Sequence, residues 1–155
     1  MPRSLPCLLL VLSTSAACSG DRPAGRPALE RLPAVMLGGQ PLPFSRAVRV
    51  GEVLYVSGQV GLSADETLPE GMEAQARQAM DAIGGTLEMA GLDWTSVFHC
   101  TVMLEDMADW PAFNRVYATY VDPDHLPARS AFGTDGLALG ALVEIECQAY
   151  APETP

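Results

Sequence analysis

Two stretches of the chain carry residues that could do chemistry together. One is P-A-R-S-A-F-G-T at 127–134, where Arg129 is the only charged residue. The other is L-V-E-I-E-C-Q-A-Y at 142–150, where Glu144 and Glu146 alternate with Val143 and Ile145. Side chains alternate between the two faces of a strand, so both carboxylates project from one side of the second stretch. A guanidinium is suited to gripping a carboxylate through two parallel hydrogen bonds, each worth about 1.5–3 kcal/mol when charge-assisted. Its target could be Glu144 or Glu146, as a structural ion pair, or a carboxylate ligand from outside. Composition alone favours the ion pair. An arginine buried without any partner would cost about 3–5 kcal/mol, so a partner is expected in either case.

Other chemistries are excluded by residue type. All nine basic residues are arginines, which removes Schiff-base lysines, pyridoxal-phosphate anchors and P-loop lysines, since each needs a primary amine. His99 and His125, the only histidines, fall in a strand-like run and a proline-flanked loop, away from metal-ligand spacing. No G-x-S-x-G elbow or C-x-x-C pair is present, and G-G-Q-P-L-P at 38–43 is a turn rather than a phosphate cradle. Neither a metal nor an organic cofactor is expected. A net charge of −10 repels phosphate backbones and leaves no basic stripe, so nucleic acid is not a partner.

The elements that must position Arg129 and Glu144 follow from periodicity. At 155 residues and 48% hydrophobic content, the chain suits one packed domain. Residues 46–50 and 53–57 read as strands joined by a Gly51-Glu52 hairpin turn, with Val48 and Val50 giving the first an apolar face. Residues 71–91 carry Met72, Ala76, Ala79, Met80, Ile83 and Leu87 at the spacing of one helical face, with Gly91 as the stop. Gly84-Gly85 inside that helix costs about 1 kcal/mol per glycine against alanine, and close packing on a sheet is the expected reason. Residues 97–104 form a third strand. Asp109 is the expected N-cap of a second helix over 110–120, with Pro111 in its first turn and Trp110, Phe113, Tyr117 and Tyr120 on one face. Residues 128–134 and 142–150 are the last strands. The order β-β-α-β-α-β-β predicts a two-layer α+β domain with both helices on one sheet face. The other face needs cover, which argues for an oligomer.

The N-terminus follows a different rule. Arg3, an apolar run over 5–12 and small residues ending at Cys18 give the order of an export signal over residues 1–17. Ser15-Ala16-Ala17-Cys18 is similar to a bacterial lipobox, with serine where leucine is usual, and predicts lipidation of Cys18 and an exported protein, periplasmic or membrane-anchored; an ordinary signal peptidase could equally cut after Ala17, since Ser15 and Ala17 are both small. Residues 18–32 read as a flexible tether rich in proline and glycine, with the domain over 33–152. Cys100 and Cys147 then remain in apolar strand-like runs, and two buried thiols are favoured over a disulfide.

The runs L-P-F-S-R-A-V-R-V-G-E-V-L-Y-V-S-G-Q, F-N-R-V-Y, P-A-R-S and V-E-I-E resemble, in order and spacing over about residues 33–150, the RidA/YjgF family of reactive-intermediate deaminases. That resemblance implies a chorismate-mutase-like α+β fold, assembled as a homotrimer with sites at the subunit interfaces. It also implies that 2-imino acids are hydrolysed to 2-keto acids and ammonia without a cofactor. Arg129 would hold the substrate carboxylate and Glu144 would handle the attacking water, with Ser57, Gly58 and Asn114 shaping the cleft. Phe44 stands where the family usually has tyrosine, and Ala131 where many deaminases have cysteine or threonine. The loop G-T-D-G-L-A-L-G replaces the usual leucine-proline-lysine-like turn. A non-catalytic module of the same fold that binds small carboxylates is the other expectation.

Overall fold

The computed structural model describes residue 27 and residues 29–152. The export signal, Cys18 and the first part of the tether lie outside the described residues. Eight strands appear in chain order: β1 Leu29–Arg31, β2 Ala34–Leu37, β3 Gln40–Ser45, β4 Ala47–Val50, β5 Val53–Val60, β6 Val97–Leu104, β7 Ala128–Gly133 and β8 Val143–Tyr150. Six of them form one sheet in the order β1-β4-β5-β8-β6-β7, while β2 and β3 make a separate hairpin. Only β6 and β7 run parallel. A parallel pair needs a crossover, and the segment containing the second helix supplies it.

The sheet begins earlier than the composition suggests, because Leu29–Arg31 already pairs with β4 inside the stretch expected to be tether. The β2–β3 hairpin is also new. Proline and glycine mask its alternation, but Gly38 and Gly39 at φ 58° and 72° supply the left-handed pair that a tight two-residue hairpin turn requires. The Gly51-Glu52 hairpin forms as expected, with Val50 opposite Val53.

Both helices pack on one face of the sheet, as the element order predicts. Helix α1, Met72–Met89, buries all six of the predicted apolar residues against the inward side chains of β5 and β8. It ends in a Schellman arrangement: Gly91 N–H donates to Glu88 O and Leu92 N–H to Leu87 O, with Gly91 at φ 73°. The glycine pair has a different reason from the one expected. A Cβ on Gly84 would stand 3.3 Å from Trp94 Nε1, whereas one on Gly85 would meet nothing within 4 Å, so the pair is not explained by sheet contact. Gln75 ties α1 to the start of β8. Its side chain donates to Pro69 O at 3.0 Å and accepts from Leu142 N–H at 2.8 Å, in a buried setting.

Helix α2 spans Trp110–Tyr117 and stops three residues short of the expected end. Asp109 makes no capping bond. Asp106 does so for the preceding 3-10 turn, accepting from Ala108 N–H at 2.8 Å.

One further expectation is corrected, and the apolar face of β4 is the one away from the helices. Ala47, not Val48 or Val50, is buried in the core under the helices, and Arg49 shares its face by donating to Ala151 O and Ala90 O. The apolar valines of β4 therefore belong to the open face of the sheet. Cys100 and Cys147 are buried as expected but joined in a disulfide rather than left as thiols. They are direct partners in the β6–β8 register, so both sulfurs point into the same core space. Across the sheet, the face away from the helices exposes Tyr55, Phe132 and Tyr150, each about half accessible.

Candidate active site

Arg129 lies on β7, an edge strand, with its side chain on the helix-facing side. Trp110, Phe113, Asn114 and Tyr117 fall at one-turn intervals along one side of α2, and together they seat the guanidinium. Nη2 donates to Asn114 Oδ1 at 2.8 Å. The guanidinium carbon stands 4.4 Å from the Tyr117 ring centre, 5.2 Å from Trp110 and 5.8 Å from Phe113, within range of cation–π attraction. The ion pair that composition favours is not formed: among the described residues, no carboxylate reaches Arg129. Asn114 accepts one of the five guanidinium N–H groups, and an amide does not neutralise the charge. Tyr117 carries a buried hydroxyl with no hydrogen-bond partner among the described residues. Burial pushes its pKa up, and the nearby Arg129 charge opposes that rise.

Glu144 lies on the other side of the sheet, against Gly58 of β5. A Cβ on Gly58 would collide with the Glu144 carboxylate, so glycine is what allows that side chain to lie across the strand. A register irregularity between Val56 and Gln59 bends β5 at this point. Ser57, at the same irregularity, spends its hydroxyl on Ser45 O at 2.7 Å and so ties β5 to the end of β3. Burial raises the Glu144 carboxyl above its ordinary pKa, and the neighbouring Glu146 charge adds to that. Glu144, Gly58, Phe44 and Arg46 share the wall of a cavity of about 500 Å³.

The sequence-predicted residues thus fall into two groups. Phe44, Gly58 and Glu144 meet at the cavity, with Ser57 bracing it from behind. Arg129 and Asn114 meet on the opposite side, and Ala131 packs beside them against the core. The register shows how far apart the groups are. Arg129 aligns with Cys100 and through it with Cys147, whereas Glu144 aligns with Met103 and through it with Phe132. The offset along the strands is three residues, an odd number, so the two side chains leave opposite faces. They are also two strands apart, about 10 Å at the usual strand spacing.

Sequence reasoning missed the aromatic seat of Arg129. Its signal was present in the spacing of Trp110, Phe113 and Tyr117, but that spacing also describes a core-facing stripe. Arg46 and Leu139, which line the cavity, gave no signal of their own.

A model of the family described as Endoribonuclease L-PSP matches residues 40–151. The chain belongs to this family, the RidA/YjgF proteins. Among RidA-family relatives, the 2-iminobutanoate/2-iminopropanoate deaminase of Mus musculus is 42% identical over 106 residues, which cover 67% of this chain and 78% of that one. Among solved RidA-type structures, RidA from the Antarctic bacterium Psychrobacter is 34% identical with a TM-score of 0.68, covering 77% of this chain and 94% of that chain. Escherichia coli TdcF, solved with bound serine, is 26% identical with a TM-score of 0.67, covering 77% and 93% respectively. The matched span includes Phe44, Ser57, Gly58, Asn114, Arg129, Ala131 and Glu144.

Proposed function

We propose that the chain is a 2-imino-acid deaminase of the 2-iminobutanoate/2-iminopropanoate type, working as a homotrimer with its sites between neighbouring copies. The observation that carries this reading is the placement of Arg129 and Glu144 on opposite faces of one sheet. A single chain cannot bring the two together. The edge position of β7 and the half-exposed aromatic residues of the open face are where a second copy would dock, so that the Arg129 of one copy meets the Glu144 of the next.

The chemistry follows from the two environments. Arg129 holds the substrate carboxylate through the guanidinium donors that Asn114 leaves free, and the aromatic seat fixes the plane of the fork. Glu144 takes a proton from water as its oxygen bonds to C2 of the imine. That proton passes to the nitrogen, giving a carbinolamine; Glu144 then relays the carbinol hydroxyl proton to the same nitrogen, and as the C–N bond breaks its electron pair leaves with ammonia while the oxygen closes the C=O of the keto acid. A carboxyl with a raised pKa suits both taking up and returning that proton. Phe44 offers a wall but no hydroxyl. Ala131, set against the core beside Arg129, supports the clamp rather than touching the reacting atoms.

Imines generated in situ from alanine or 2-aminobutyrate by an amino-acid oxidase provide the test. The protein is expected to accelerate keto-acid formation, and Glu144→Gln to abolish that acceleration while keto acids still bind. Binding of keto acids by wild type without any acceleration would leave the carboxylate-binding module, a reading that the missing Phe44 hydroxyl favours. RNA cleavage, which the family description names, is disfavoured by the net charge of −10.

The N-terminal pattern supports a further proposal, that the protein lies outside the cytoplasm, anchored to a membrane through lipid on Cys18. The Cys100–Cys147 bond supports export, since disulfides persist in oxidising compartments. Labelled fatty acid should enter wild type and not Cys18→Ala.

A further inference from the structure

The cavity beside Glu144 is larger and more apolar than a four-carbon imine requires. At about 500 Å³ it falls in the range of pockets that enclose drug-sized ligands, about 300–1,000 Å³. Met36, Leu37, Leu42 and Phe44 of the β2–β3 hairpin form one wall, and Leu139, from the turn before β8, forms another. Three charged residues line it: Arg46, Glu66 and Glu144. Glu66 is already engaged, accepting Gly38 N–H at 2.7 Å. That leaves a mostly apolar chamber with two charged groups on its wall, the carboxylate of Glu144 and the guanidinium of Arg46.

Leu139 is the informative residue. Its backbone sits at φ 61°, ψ 10°, in the left-handed region, which disfavours a branched side chain. Packing within the chain does not repay that cost, because Leu139 is 60% exposed. The strained backbone presents an isobutyl group to the cavity, where a glycine would have satisfied the turn.

We propose that this cavity receives the side chain of the substrate and that Leu139, with Phe44, selects 2-imino acids bearing long aliphatic or aromatic side chains over those with one or two carbons. The proposal rests on the imine-deaminase reading above. With the carboxylate on a neighbouring copy's Arg129 and C2 beside Glu144, the remaining substituent points into the chamber, and each methylene it buries contributes to transition-state binding.

Two measurements on the full chain test this. The first compares kcat/KM for imines made in situ from leucine, methionine and phenylalanine with that for the alanine-derived imine. The bulky substrates are expected to lead by about tenfold or more. In Leu139→Gly, a change the left-handed backbone tolerates, that lead should shrink by at least about fivefold through a higher KM for the bulky imines, with no loss of thermal stability. The second measures equilibrium binding of 4-methyl-2-oxopentanoate and pyruvate by calorimetry, with the branched keto acid expected to bind more tightly. Equal or better turnover of the alanine-derived imine overturns the proposal and leaves the deaminase reading intact. Preference for aspartate- or glutamate-derived imines also overturns it, assigning selection to Arg46. Tighter binding of the branched keto acid, weakened in Leu139→Gly, with no turnover of any imine, supports the pocket and sinks the deaminase reading. Failure to bind either keto acid overturns both.

Discussion

The surroundings of Arg129 and Glu144 are built on opposite principles. Arg129 is held in place with donors to spare: an amide at 2.8 Å holds one edge of its fork, and aromatic rings bracket its plane. Glu144 is left in want, partly desolvated, beside a like charge and with its pKa pushed up. A group that only binds gains from being held still before the ligand arrives. A group that moves protons gains from an environment that keeps its charged form close in energy to its neutral form. The contrast fits the proposed division of roles between binding and proton transfer.

The strongest way to break this contrast is to remove the clamp. Arg129→Ala is expected to lower kcat/KM by at least about 100-fold, and Arg129→Lys to recover little, because an ammonium lacks the fork. Mixing Arg129→Ala with Glu144→Gln chains under refolding should restore activity that neither has alone. Absence of rescue would place both groups of a working site in one chain. Next in size is Gly58→Ala, whose methyl would displace the Glu144 carboxylate. A loss of about 10–100-fold in kcat is expected with keto-acid affinity kept, read by pairing kinetics with calorimetry. Asn114→Ala should act the other way, raising KM by about tenfold through a loosened Arg129, as a hydrogen bond to a charged group is worth about 1.5–3 kcal/mol.

The smallest effect sharpens the Glu144 side. Its carboxyl titrates above the ordinary carboxylate range, first through burial and second through Glu146. If Glu144 works ionised, activity rises as pH climbs through that raised pKa. Glu146→Gln removes the second cause and should move the acid limb of the pH–rate profile to lower pH. The stability consequence runs the opposite way: a raised carboxyl pKa favours the folded state below the unfolded value, and that contribution is lost as pH rises through the folded one. An unmoved acid limb in Glu146→Gln would mean that the two carboxylates do not interact in the assembled protein.

Much of the architecture was legible in the sequence, and the failures have physical causes. The α1 stripe and the alternation of β8 were readable because one period dominates each: Met72 through Leu87 at helical spacing, Val143 through Ala149 at spacing two. The β2–β3 hairpin was hidden because Pro41 and Pro43 interrupt its alternation. The disulfide was hidden because pairing depends on β6–β8 register, which no local pattern states. For the site, the residues were legible one at a time through the family motifs. Their division between two faces was not, since it follows from an odd register offset across three strands. The aromatic seat of Arg129 looked like core because a stripe of rings on a helix serves either purpose.

The division of the site has a further consequence, for quantity rather than geometry. If the proposed inter-chain site holds, a monomer has no activity and specific activity is set by mass action. Dilution below the dissociation constant of the assembly should silence the protein with every chain still folded, and recovery on concentration should follow a power of the protein concentration above one.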